Sequence, residues 1–229
     1  AFADAIQADL DWLGLKWDET VRQSDRFERY DAVFETLVAQ GHVYACYETP
    51  EELERKRKRQ LARGKPPVYD RAGLALSADE KATLEAEGRM AHWRFKLSGN
   101  QVTWRDLVRG EQKIDTASVS DPVIRRADGS WLYTLPSVVD DLDMNISHVI
   151  RGEDHVTNTA AQVELITALG GEVPEFAHFS LMLGADGSGL SKRLGSLALA
   201  DLRDSGLEPI SLNAHIARLG TADPVVPAQ

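Results

Sequence analysis

The sequence predicts an α/β domain interrupted by an α+β module. Three observations lead there. Toward both ends, segments with a helical apolar period alternate with short buried strands. Between them lie short strands with polar alternation and tight turns, which read as antiparallel. The 229 residues are 43% hydrophobic and 27% charged, enough apolar matter for a sizeable core and too much for a disordered chain. No apolar run nears the ~20 residues of a spanning helix, so no membrane partner is expected.

Residues 1–15 carry Ala5, Ile6, Leu10, Trp12 and Leu13 near a 3.6-residue period, which Gly14 breaks. Ser24 is expected to start a second helix, with Phe27, Tyr30, Phe34, Leu37 and Val38 on its face and Gly41 at its end. HVYACY at 42–47 reads as a strand. Thr49, Pro50 and Glu52 spell a capping box with proline at the first helical position. Residues 64–76 read as loop and Ser77–Glu87 as a short helix. Ala91, Trp93, Phe95 and Leu97 alternate with polar residues as a half-buried strand does, and VTWRDLV follows as its partner. PVIRR, a turn at Asp128–Gly129, WLYTLPSVV and HVIRG give further strand signals. Asn158 or Thr159 is expected to cap a helix reaching Ala168, which Gly170–Gly171 ends. HFSLML reads as a strand, GADGSG as a loop and 197–219 as two short helices.

Lys and Arg number 26 against 36 Asp and Glu, a net charge of −10. That argues against indiscriminate nucleic-acid binding, which rests on cations at phosphates. A local basic patch nevertheless stands at Arg55, Lys56, Arg57, Lys58, Arg59, Arg63 and Lys65. It suits either a binding face or a solvated helix face. The single Cys46 excludes an intramolecular disulfide and a multi-cysteine zinc cage, and a reducing, cytoplasmic setting is expected. His42, His92, His148, His178 and His215 are scattered without metal-ligand spacing.

Three constellations carry chemistry. Leu190-Ser191-Lys192-Arg193 follows a loop with Gly184, Gly187 and Gly189. Mobile cations there suit a polyphosphate, and the same tetrapeptide suits a solvated basic turn. Val149-Ile150-Arg151-Gly152-Glu153-Asp154-His155 puts Arg151 at the end of a strand, where open α/β sheets hold ligands. Arg151 is suited to grip a carboxylate through two parallel N–H bonds, although a strand-end ion cluster has the same spacing. Tyr133 and Ser137, four apart, fit the wall of a small polar pocket or a core position. Asp140–Asp141 is read as a turn or structural pair.

Together HVIRGEDHVTNT, DGSWLYTLPSVVDDLDM, SDPVIRR and LSKRLGS resemble the glutamyl-tRNA synthetase family, class I aminoacyl-tRNA synthetases. DWLGLKWDE, QSDRFERYDAVFETLVAQGHVYACY and RGKPPVYD extend the likeness over residues 1 to about 220, in the family's order. The resemblance implies a Rossmann-type catalytic domain in residues 1–45 and 122–200. An inserted module at 46–121 would hold the tRNA acceptor arm, and 201–229 would begin a helical stem-contact region. It implies a cytoplasmic, monomeric ligase that joins L-glutamate to the 3′ end of tRNA, with ATP and Mg²⁺. Lys192 and Arg193 would act on phosphate, and Ser191 with the Leu181–Met182 backbone would touch ATP. Tyr133, Ser137, Arg151 and His155 would line the glutamate pocket. Arg55, Lys56, Arg57, Lys58 and Arg59 would face tRNA.

Three departures qualify the likeness. Gly189 stands where the family's KMSKS loop often has its first lysine. Some relatives bind zinc through cysteines in the insertion, and lone Cys46 leads us to expect none. The family's HIGH motif and its anticodon-binding region lie outside these residues, so the chain by itself is expected to be inactive. Two alternatives remain at this level: the paralogue that glutamylates the queuosine base of tRNA(Asp), and a non-catalytic RNA-binding module of the same fold.

Overall fold

The computed structural model describes residues 2–183 and 198–218. The chain divides into two compact units, Arg22–Leu181 and Ala1–Val21 with Met182–Gln229.

In the first unit, α2 (Phe27–Ala39) buries Tyr30, Val33, Phe34 and Leu37 on one face. It starts three residues later than expected. Ser24 lies in a 3₁₀ turn, where its hydroxyl bonds Asp25 rather than capping the helix. Gly41 follows with φ +75°, a left-handed conformation that closes the helix without a Cβ penalty. Strand β1 (Val43–Cys46) is buried throughout. Helix α3 (Pro50–Ala62) begins as expected: the Thr49 hydroxyl accepts from the Glu52 N–H, and Glu52 accepts from the Thr49 N–H. A short helix α4 (Ala72–Ala75) interrupts the segment expected to be loop, and Ser77 caps α5 (Ala78–Ala86).

Strands β2 (His92–Phe95) and β5 (Val123–Arg125) complete an antiparallel sheet in the order β1-β2-β5. A second sheet runs β4-β3-β7-β6, from β4 (Gly110–Asp115), β3 (Gln101–Asp106), β7 (Glu175–Phe179) and β6 (His148–Gly152). β3 and β4 are antiparallel, whereas β7 lies parallel to both β3 and β6. The GEQKID strand, with Ile114 its one large apolar residue, carries no apolar alternation to announce it.

The largest departure is in WLYTLPSVV: Trp131 makes an isolated antiparallel bridge to Arg125, but from Thr134 the segment is helix α6 (Thr134–Asp143) rather than strand. Its buried Leu135, Pro136, Val138 and Val139 follow helical spacing, and Pro136 sits in the first turn, where no N–H is needed. The Asp140–Asp141 pair is therefore helical, not a turn. Asp140 accepts from Gln23, from Arg26 and from the Tyr30 hydroxyl, tying α6 to the start of α2. Asp143 accepts from Arg26 and Arg29, which hold its carboxyl below the usual range. α7 (Val156–Ala168) starts ahead of the expected caps, so Asn158 and Thr159 lie inside its first turn.

α2, α6 and α7 converge on one apolar core around Tyr30, Phe34, Leu37, Phe95, Leu97, Leu135 and Leu165. A smaller cluster of Val102, Trp104, Ala160 and Phe176 packs α7 on the second sheet. Charged groups are buried here too, among them Arg94, Asp106 and Asp121. Asp121 is buried and accepts from the Tyr44 hydroxyl at 2.5 Å, from Arg71 Nε at 2.9 Å and Nη2 at 2.8 Å, and from the Leu97 N–H at 3.0 Å.

In the other unit, α1 (Phe2–Trp12), α8 (Leu199–Asp204) and α9 (Pro209–Arg218) meet. Asn213 donates to the Leu13 carbonyl at 2.8 Å, and Arg203 pairs with Asp9 and lies over the Trp12 ring.

Candidate active site

Arg151 is the penultimate residue of β6, just before the strand meets the 3₁₀ turn Glu153–His155 and then α7. Its guanidinium is held on nearly every side. Nε donates to His178 Nε2 at 3.1 Å. Nη2 donates to Thr159 Oγ1 at 2.7 Å and to Gln162 Oε1 at 2.6 Å. Nη1 donates to the Tyr133 hydroxyl at 2.8 Å. A guanidinium has five N–H groups. Among the described residues one Nη1 N–H is therefore left, not the two needed for a fork. Tyr133 accepts from Arg151, so its own O–H stays available beside that N–H. An Arg N–H and a Tyr O–H thus form a mixed pair of donors.

The other predicted pocket residues are close by. The His155 ring lies 5.3 Å from the Tyr133 ring, centroid to centroid. Ser137 accepts from Gln162 at 2.9 Å, so it meets Arg151 through that amide. Tyr133 and Arg151 keep partial solvent access, while Thr159, Gln162 and His178 are buried. Those three, with Asp106, were not singled out as site residues in the sequence. The usable signal was modest: polar Thr159 and Gln162 share one face of α7 with buried Ala160 and Leu165, and His178 interrupts the apolar strand EFAHF.

Asp141 lies near this cluster. Burial pushes its carboxyl up to about 6, against the pull of Arg151. A separate cavity of about 710 Å³ holds Asp141, Asp143, Glu172 and Glu175 but none of the predicted pocket residues. The Leu181 N–H is accepted by Glu153, and the Leu181 and Met182 side chains are exposed. Ser191, Lys192, Arg193 and the glycines at 184, 187 and 189 lie outside the described residues.

The family model described as "tRNA synthetases class I (E and Q), catalytic domain" matches residues 1–225. The chain belongs to this family. It is 61% identical over 226 residues to glutamate–tRNA ligase 1 of Maricaulis maris, covering 98% of this chain and 51% of that protein. It is 60% identical over 220 residues to glutamate–tRNA ligase 2 of Hyphomonas neptunium, covering 96% and 49%. The crystal structure of the glutamate–tRNA synthetase from Elizabethkingia anophelis is similar at TM-score 0.83 and 30% identity, over 95% of this chain and 51% of that one. A glutamate tRNA ligase from Elizabethkingia meningosepticum, solved in complex with its amino acid, is similar at TM-score 0.80 and 29% identity. The chain spans about half the length of these relatives. The expected α/β catalytic fold of a class I synthetase is thus the observed one.

The basic run of this synthetase chain separates by helical position. Lys56 is drawn inward, its ammonium bound by Glu48 at 3.1 Å and Asp70 at 3.0 Å. Expected to face tRNA with its neighbours, it has its ammonium engaged by two carboxylates while its side chain stays 32% exposed. Arg57 and Lys58 pair with Glu54 on the exposed face, and Arg55 and Arg59 are also exposed. A cleft of about 430 Å³ beside α3 is lined in part by Arg55, Lys56, Arg59 and Arg89.

Cys46, Glu48 and His92 bring one donor atom each within 4.8 Å of one another. Three donors are one short of the four protein ligands of a closed structural zinc site. Glu48 is already held by Lys56 and by the Tyr69 hydroxyl, which also approaches the Cys46 sulfur at 3.4 Å. Burial pushes the Cys46 thiol up to about 11. The guanidinium of Arg94 lies over the Tyr69 ring at 4.0 Å, a further cation beside the three donors.

No helix among the described residues is long and apolar enough to cross a membrane.

Proposed function

We propose that the protein containing this chain ligates L-glutamate to the 3′ end of a tRNA through glutamyl-adenylate. The observation that carries this reading is the mixed donor pair of Arg151 Nη1–H and Tyr133 O–H, held on a caged guanidinium. Two donors with a fixed positive charge favour a carboxylate over the amide of glutamine, which would set an NH₂ against an N–H.

In the first step a glutamate α-carboxylate oxygen attacks the α-phosphate of ATP, and pyrophosphate leaves. In the second, a terminal ribose hydroxyl attacks the activated carbonyl carbon, and AMP leaves. Arg151 and Tyr133 hold the side-chain carboxylate, with Ser137 and His155 closing the pocket. Positioning of this kind supplies much of the acceleration in such transfers. Lys192, with Ser191 and Arg193, is assigned to phosphate charge by its resemblance to the family loop, and Mg²⁺ accompanies ATP. Leu181 and Met182 are assigned to the adenine side. Arg55, Arg57, Lys58 and Arg59 are assigned to acceptor-arm phosphates. We place the protein in the cytoplasm as a monomer.

The test is glutamylation of an unmodified tRNA transcript by the full-length gene product. Charging with glutamate but not glutamine is expected, with discrimination blunted in Arg151→Ala. Activity only on queuosine-bearing tRNA refutes the reading in favour of the paralogue. RNA binding without ATP binding refutes it in favour of a scaffold.

A further inference from the structure

We propose that Asp106 and His178 are positioning residues that set the orientation of Arg151, and with it the preference for an acidic substrate. This rests on the glutamate reading above and extends it to two groups that would not touch the substrate.

Both are buried, His178 at 0% and Asp106 at 1% exposure, and they come from different strands of one sheet, β7 and β3. The two carboxylate oxygens of Asp106 have separate duties. Oδ1 accepts three backbone N–H groups, from Val108 at 3.0 Å, Arg109 at 3.0 Å and His178 at 3.1 Å. Oδ2 meets His178 Nδ1 at 2.5 Å. On the far side of the ring, Nε2 lies 3.1 Å from Arg151 Nε and 3.0 Å from Thr159 Oγ1.

Arginine keeps its Nε proton at any accessible pH. Nε2 of His178 must therefore accept, and the ring proton must sit on Nδ1, where Asp106 receives it. With the proton on Nε2 instead, two N–H groups would face each other at 3.1 Å. The relay runs from three backbone N–H groups through carboxylate and imidazole to the inner edge of the guanidinium. Fixing that edge fixes the outer one, where Nη1 meets Tyr133.

The asymmetry of Asp106 makes Asp106→Asn a sharp probe. Three N–H donors hold the amide oxygen at the Oδ1 position, so the amide NH₂ is forced toward His178 Nδ1. Nδ1 then accepts and the ring proton moves to Nε2, against Arg151. An amide in this role is expected to select the wrong tautomer, as happens in Ser-His-Asp triads.

The experiment has two readouts on the full-length protein. Histidine ¹⁵N NMR reports the tautomer whatever the substrate. Wild type should show His178 protonated at Nδ1 and neutral at Nε2, and Asp106→Asn should reverse this. Steady-state kinetics should show the glutamate KM raised roughly ten- to hundredfold in Asp106→Asn and His178→Phe, with the ATP KM unchanged. His178→Gln, whose amide oxygen can reach the Nε2 position, should recover most of the loss. A wild-type Nε2–H tautomer overturns the proposal without needing any variant to fold. So does a folded Asp106→Asn or His178→Phe protein with an unchanged glutamate KM, or one whose glutamate and ATP KM values rise together. If wild type shows the Nδ1–H tautomer but does not use glutamate, the glutamate reading and the specificity claim fall together. The tautomer control of Arg151 then stands alone.

Discussion

Replacing Asp121 by alanine should destabilise the first unit by about 3–5 kcal/mol, the range for stripping one partner from a buried ion pair. The structure shows how that sum arises. The Arg71 side chain is 35% exposed and can turn toward water, so its own loss is modest. The Tyr44 hydroxyl and the Leu97 N–H are in the buried part of the network and lose their acceptor outright. Each orphaned buried group costs about 1–3 kcal/mol. Against a typical total of about 5–15 kcal/mol, that is a large share. Urea unfolding is the assay: the midpoint should fall with little change in slope. Asp121→Leu combined with Arg71→Met and Tyr44→Phe should recover part of the loss, because no charge or hydroxyl is then left unpaired. A midpoint shift worth less than about 1 kcal/mol in Asp121→Ala would refute the account, since water would then be reaching a site the packing closes.

Two other predictions follow from charge. Asp141 is raised from 3.8 to about 6 by burial, so between those values the native state keeps a proton that the unfolded chain has lost. Its contribution to stability therefore falls as pH rises through that window, and the charged form costs about 1–3 kcal/mol above it. Asp141→Asn should raise the urea midpoint at pH 7.5 and leave it almost unchanged near pH 4; equal gains at both would refute the assignment. For RNA, Arg55→Ala and Arg59→Ala should each reduce the salt slope of tRNA binding by about 1, as expected for a lost phosphate contact. Lys56→Met should leave that slope alone and lower thermal stability, because it unpairs Glu48; a Lys56→Met slope matching the arginine variants would place its ammonium on RNA instead.

Local grammar was legible in the sequence, and long-range partnership was not. Thr49, Pro50 and Glu52 announced α3 because a capping box is complete within four residues. HVIRG was readable as a strand carrying Arg151 near its end for the same local reason. WLYTLPSVV misled because Trp131, Tyr133 and Leu135 alternate like a strand, while the helical set Leu135, Val138, Val139 and Leu142 overlaps them. Tyr133, Ser137, Arg151 and His155 were legible as candidates and do gather in one place. The cage around Arg151 was not, because its acceptors come from α7 and β7. Asp106 is 72 residues from His178, a spacing no pattern in the sequence records. Lys56 was read as one of a run, whereas its angular position on the helix turns it to Glu48 and Asp70.

The parallel pairing of β3 with β7, in register at Asp106 and Phe176, bears on how the protein is made. It closes a loop of some seventy residues, and such closures come late because their entropy cost precedes any reward. A chain emerging from the ribosome can form α2 and α3 early. It has no His178 to offer Arg151 until β7 has been synthesised and has docked. The cage around Arg151 is thus complete only when the second sheet is, and a partly folded chain lacks the geometry proposed to select an acid.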